Sequence, residues 1–129
     1  CSSDLLGAMA PQAPLAIGSL GGTLKVDSGH TEWVDSRSHQ TGVTATFTPN
    51  TKVLYTAAGR QYDIDFSSSR EGKTLTNVTY AAVTSRSYHP NGVNGLMADG
   101  SVRFVNNTIE LAVWRSMFTR AGNEPGIRD

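Results

Sequence analysis

The chain has a single cysteine, Cys1, among its 129 residues. One thiol allows no intrachain disulfide and no cysteine-based zinc site, and it does not fix the redox compartment. Aromatic residues make up only 8% of the chain. No apolar run approaches the roughly 20 residues a helix needs to cross a bilayer. Neither charge sign is in excess, since 11 basic side chains stand against 11 acidic ones. Nucleic-acid binding calls for a basic excess or stripe, because phosphate neutralisation dominates its affinity, and that class is excluded. There is no Gly-x-Ser-x-Gly nucleophile elbow. The Gly-rich stretch Gly18 to Gly22 lacks the Lys-Ser/Thr of a phosphate loop. An enzyme is not expected.

What is present is Thr, Ser, Gly and Asn in quantity, which suits short strands joined by turns. With 38% hydrophobic residues the chain can build one domain around one modest core. In residues 1–22, Pro11 and Pro14 limit any helix to a turn or two. That stretch is expected to be a linker or truncated N-terminal extension, with the β-rich domain covering residues 23–129. The start Cys1-Ser2-Ser3-Asp4 reads either as a cut end or as the lipidated end of a lipoprotein.

From Thr23 onward apolar residues recur with the period of two that marks strands. Candidate strands are Leu24–Val26, Val43–Phe47, Val53–Tyr55, Tyr62–Phe66 and Val78–Val83. Asp63 and Asp65 would share the outward face of the fourth, as solvated carboxylates or as oxygen ligands for calcium. Asp99-Gly100 between two β-prone runs predicts a type I′ hairpin. Asn107 or Thr108 can then cap a helix of about three turns with Leu111, Trp114 and Phe118 on one stripe. Such a helix must pack on the sheet to persist. The fold class expected is α+β, an antiparallel sheet carrying a C-terminal amphipathic helix.

Three groups of residues could carry function. Nine residues separate His89 from Asp99-Gly100. The spacing reads as one strand bent at each end by turn chemistry, with Asp99 accepting from loop amides; the sharper alternative puts His89 in a binding or processing site. His30, Glu32 and His39 could bind a ligand, although their spacing matches no zinc pattern. Polar packing around Trp33 is the plainer expectation there. Trp33 and Trp114 are expected to be packing residues. No metal or other cofactor is expected beyond the calcium option.

The ordered motifs Ser28–Asp35, His39–Gly42, Phe47–Thr51, Thr84–Pro90, His89-x9-Asp99-Gly100 and Leu111–Arg115, with the tail Thr119–Glu124, resemble a large bacterial prepilin-type family of unknown molecular function, also labelled extracellular solute-binding-like. The resemblance runs from about Asp27 to Glu124. It implies the head of a pseudopilin-like protein whose long N-terminal helix, carrying a methylation motif, is missing from this chain. It also implies an extracytoplasmic location, a parent anchored in the inner membrane through that helix, and other pilin-like subunits or type II secretion machinery as partners. The competing reading is an extracytoplasmic module that binds a small solute, sugar or peptide, through the Gly29–Gln40 loop.

Overall fold

The computed structural model describes residues 14–18, 22–26, 28–68, 71, 73–77 and 79–119. Cys1, Asp27, Val78 and the tail residues Arg120, Gly122, Asn123 and Glu124 lie outside them, with the readings that rest on them. In chain order the elements are α1 (Pro14–Gly18), α2 (Ser38–Thr41), β1 (Leu54–Ala57), β2 (Arg60–Asp63), β3 (Phe66–Ser67), β4 (Ala81–Ala82), β5 (Gly92–Leu96), β6 (Val102–Asn106) and α3 (Leu111–Ser116). The strands form three separate antiparallel pairs, β1–β2, β3–β4 and β5–β6. The class is α+β, but the single sheet expected from the alternation is divided into pairs.

The β1–β2 hairpin is the one the sequence reading did not place. Ala57 lies opposite Arg60, and the two residues between them, Ala58 and Gly59, have φ of 49° and 74°. Positive φ at both central positions defines the type I′ turn, whose twist matches the strands it joins. Ala in the left-handed region carries a Cβ penalty, so no Asn-Gly or Asp-Gly signal marked the site.

The β5–β6 hairpin falls where Asp99-Gly100 predicts it, with Leu96 opposite Val102 and Gly92 opposite Asn106. Its turn is of another type. Only Gly100 has positive φ, at 86°. Gly100 N–H donates to the Met97 carbonyl at 3.0 Å, and Met97 N–H to the Ser101 carbonyl at 2.8 Å. These bonds describe a three-residue loop, a turn closed by a left-handed glycine. Asp99 has no need of positive φ because its carboxylate accepts from Ser101 N and Oγ at 2.8 and 2.7 Å.

Two apolar clusters lie on either side of an irregular segment. Ile17, Phe47, Val53 and Ala82 form one. Ala45, Val93, Val105 and Trp114 form the other. Residues Thr44 to Phe47 are buried in succession and form no strand, against the alternation expected of Val43–Phe47. The reason is two-sided burial: Ala45 serves one cluster and Phe47 the other. Likewise Ala81 to Thr84 are all buried, and only Ala81–Ala82 keep a ladder. Leu24–Val26 forms no strand either. Ile17, within the stretch read as linker, is 1% exposed and packs into the first cluster. Pro14 opens α1, where a missing N–H costs nothing.

The terminal helix α3 is shorter than the three turns expected. Asn106 Oδ1 accepts from Thr108 N and Oγ1, both at 2.9 Å. Side-chain capture of this kind competes with helix formation, so the helix starts after Glu110 and not after Asn107 or Thr108. Trp114 is 4% exposed. Its ring meets Phe118 edge-on at 4.7 Å.

Ala58→Asn should raise stability by up to about 1 kcal/mol, because Asn tolerates the left-handed region better than Ala. A higher urea midpoint with unchanged m-value is the expected result. Gly92 and Gly100 should respond differently to Ala. A Cβ at Gly92 would sit 2.3 Å from the Val105 carbonyl and 2.5 Å from the Phe104 ring, whereas one at Gly100 meets nothing within 4 Å. Gly100→Ala should therefore cost about 1–2 kcal/mol of backbone strain. Gly92→Ala should cost that or more through overpacking and should open the base of the hairpin, seen as lost amide protection in β5 and β6.

Candidate functional site

Four polar side chains hold the irregular parts together, and sequence reading singled out none of them. Glu71 is buried and accepts from Ser38 N (2.9 Å), Ser38 Oγ (2.8 Å), Ser67 Oγ (3.0 Å) and His39 Nδ1 (3.3 Å). It ties α2 to β3. Burial alone would raise the Glu71 carboxyl pKa, but the donors from Ser38, Ser67 and His39 outweigh it and hold the value below the ordinary range.

Arg86 is clamped between two carboxylates, Asp63 at the end of β2 and Asp65 just beyond it, where the strand expected over Tyr62–Phe66 is interrupted. Its guanidinium donates to Asp63 Oδ1 at 3.0 Å, to Asp65 Oδ1 and to the Ile64 carbonyl at 2.9 Å. Asp63 also accepts from Val53 N at 2.8 Å, and Asp65 from Thr84 N at 3.1 Å. The two aspartates that could have suited calcium therefore surround a guanidinium, whose planar fork suits paired carboxylates.

Gln40 organises the loop before α2. Its Oε1 accepts from Thr31 N at 3.0 Å and Glu32 N at 3.2 Å, and its carbonyl lies 3.1 Å from His30 Nδ1. His30 itself takes φ of 53°. Arg37 donates to Asp35 through both its backbone N–H and its guanidinium, and these hydrogen bonds hold the Asp35 carboxyl down to about 2.

Asn50 sits at φ 57°, a conformation Asn accepts readily. Its Oδ1 accepts from Ser87 N at 2.8 Å, and its Nδ2 donates to Asn107 Oδ1 at 2.8 Å and to the Gly92 carbonyl at 3.4 Å. One amide thus joins the chain leading to His89 with the base of the β5–β6 hairpin.

The residues proposed from sequence do not converge. His30 and His39 share a backbone bond, His30 N to His39 O at 2.9 Å, yet their rings engage different partners. Glu32 is exposed, and among the described residues no three His, Cys, Asp or Glu side chains are placed to hold a metal ion. Trp33, expected to pack, is 88% exposed, because Gln40 holds the loop by its backbone and leaves the indole outward. His89 is exposed, with its N–H on Ser87 Oγ at 3.0 Å. Donors from Ser101 hold the Asp99 carboxyl below its ordinary value.

Two grooves are open on this frame. One of about 720 Å³ runs between β5, the Thr84–Arg86 segment and Trp114, and includes His30. The other, of about 1020 Å³, includes His39, Glu71, Tyr55 and Tyr62. Trp33 borders neither.

Fold and site together define a small α+β domain of antiparallel strand pairs and short helices, fixed by side-chain hydrogen bonds to loop backbone. The chain belongs to the family described as a protein of unknown function (DUF1559), which matches residues 14–112. That match takes in α1 and the whole β5–β6 hairpin. No curated protein and no solved structure matches the chain.

Acid should loosen this frame through Glu71. A carboxyl whose folded pKa is depressed contributes stability above its unfolded value, and that contribution is lost as pH falls through the folded value. Stability should therefore decline as pH drops below 4.5, the ordinary glutamate value. Glu71→Gln should lower stability by about 1–3 kcal/mol at neutral pH. It should also flatten that acid slope, measured as urea midpoints between pH 7 and pH 3.

Proposed function

We propose that this chain is the non-enzymatic head of a pilin-like subunit. In this reading the parent protein is held in the inner membrane by an N-terminal apolar helix with a prepilin-type methylation motif. The head lies outside the cytoplasm and contacts other pilin-like subunits or type II secretion machinery. The His89-x9-Asp99-Gly100 signature then serves as architecture, the length of one strand and its turn.

The observation that carries the reading is the division of labour among side chains. Glu71, Arg86, Gln40 and Asn50 are committed to loop backbone and to neighbouring polar side chains. The loops so fixed turn large apolar side chains outward, with Trp33, Val34 and Tyr88 all exposed. Fixed loops with bare apolar tips suit contact with another protein. The solute-binding alternative through the Gly29–Gln40 loop draws less support, since the His30 and His39 rings are already engaged by Gln40 and Glu71.

The test uses the full-length parent in its own cell envelope. Mass spectrometry should find a processed, N-methylated amino terminus, and chemical cross-linking should give a ladder of higher species. Trp33→Ala should leave the stability of the head within about 0.5 kcal/mol, as befits an exposed side chain, and weaken the ladder. A lipidated or unprocessed terminus would overturn the pilin-like reading, as would a cross-linking pattern indifferent to Trp33.

A further inference from the structure

The groove beside β5 has the hydrogen-bonding form of a sheet with one strand left out. Ladder bonds of the β5–β6 hairpin fall on odd-numbered residues of the first strand. Asn107 N–H donates to the Asn91 carbonyl at one end, and Met97 N–H to Ser101 at the other. In an antiparallel pair the residues between them turn their N–H and C=O groups away from the partner. Those residues are Gly92, Asn94 and Leu96. No hydrogen bond from outside the hairpin reaches the Asn94 or Leu96 backbone among the described residues.

The first of these outward positions shows what fills the gap. The Gly92 carbonyl accepts from Asn50 Nδ2, while Asn50 Oδ1 accepts from Ser87 N–H, Gly92 and Ser87 both lying one or two positions along the chain from the lining of the groove. A side-chain amide there does what the peptide group of an intervening strand would do. It takes a donor from one wall and gives a donor to the other. Beyond Asn50 the groove continues between Asn94–Ala98 on one side and Thr84–Arg86 on the other, over a floor that includes Trp114 and Val105. Its volume, about 720 Å³, lies within the range of about 300–1,000 Å³ found for ligand sites.

A second observation comes from the opposite wall. Thr84 Oγ1 and Ser85 Oγ are buried and have no hydrogen-bond partner among the described residues. Thr84 is 4% exposed. A buried hydroxyl without a partner is uncommon in a folded protein and calls for a physical reason. Both residues line this groove.

We propose that the groove receives an extended segment of another polypeptide, which pairs with the free edge of β5 through Asn94 and Leu96. The segment continues as real backbone the rung that Asn50 makes, and its far side meets the Thr84 and Ser85 hydroxyls. Main-chain pairing supplies the affinity, and the apolar floor selects a segment with alternate apolar side chains over about the five-residue length of β5. This goes beyond the pilin-like reading and does not depend on it, since the recipient surface belongs to the head alone.

The experiment uses the 129-residue chain and a synthetic peptide alternating Val with Thr, flanked by Lys for solubility. Hydrogen exchange read by NMR should slow about tenfold at the Asn94 and Leu96 amides when peptide is added at saturation. The same peptide methylated on alternate backbone nitrogens should not bind. Asn94→Pro removes an N–H that the hairpin does not use, so it should keep the fold and abolish protection at Leu96. Thr84→Val should weaken binding several-fold while leaving the thermal midpoint of the free domain unchanged or higher. The proposal is overturned by unaltered exchange at both amides, or by binding that survives backbone methylation, Asn94→Pro or Thr84→Val. Concentration-dependent protection of these amides without peptide would also overturn it, because it assigns the edge to a second copy of the chain.

Discussion

A buried peptide group without a hydrogen-bond partner costs about 1–3 kcal/mol, and residues Thr44 to Phe47 are buried with no ladder of their own. The rest of the domain is arranged around that deficit. Thr44 is paired to Val83 twice over: its N–H donates to the Val83 carbonyl at 2.8 Å, and its Oγ1 accepts from Val83 N–H at 3.0 Å. The next three carbonyls are reached from the terminal helix. Arg115 donates to those of Ala45 and Thr46 at 3.3 and 3.2 Å, and the Trp114 indole N–H to that of Phe47 at 2.9 Å. A helix of only six residues could not persist on its own. Here it is held by an apolar stripe and by three donors aimed at one irregular segment. Helix and segment therefore stabilise each other, and neither is intelligible without its partner.

The same economy explains why carboxylates and amides sit where ladders would be expected. Asp63 and Asp65 receive backbone N–H groups from Val53 and Thr84 as well as the Arg86 guanidinium. They bridge β2 to the exit of β4, where strand pairing stops. These ion pairs are about one-third exposed, and exposed pairs contribute little by Coulomb attraction. Their importance lies in geometry: a fork of donors fixes the spacing of three backbone segments. Glu71 does the equivalent for α2 and β3, in a more buried setting.

Local turn chemistry was legible in the sequence and long-range polar pairing was not. Asp99-Gly100 announces a hairpin because glycine alone enters the left-handed region freely, and the alternation from Tyr62 to Phe66 appears in the structure as half-buried and exposed residues in turn. The turn type escaped because Ser101 satisfies Asp99 and removes any need for a left-handed Asp. Ala58-Gly59 escaped because alanine is a poor resident of that turn. Val43–Phe47 misled because its alternate apolar residues, Ala45 and Phe47, serve two different clusters and not one sheet face. Of the candidate site, the aspartate pair could be seen on one strand face. Its partner, Arg86, lies more than twenty residues away at no periodic offset. Glu71 and Gln40 leave no local signature at all, since their importance lies only in the loops they bring together. Trp33 shows the converse, a residue type usually buried but held outward by a backbone pinned elsewhere.

The segment from Val83 to Ser87 is where these arrangements meet. Thr44 engages Val83, Asp65 engages Thr84 N–H, Asn50 N–H donates to the Ser85 carbonyl at 2.8 Å, the aspartates engage Arg86, and the Asn50 amide engages Ser87. Such a segment is fixed along its whole length. The facing wall, the β5–β6 hairpin, is attached differently, by Val93 and Val105 packed on Trp114 and by the Asn50 contact at Gly92. At that same residue the Phe104 ring and the Val105 carbonyl leave no room for a Cβ. The hairpin's own packing therefore admits only glycine at the point where Asn50 reaches its backbone.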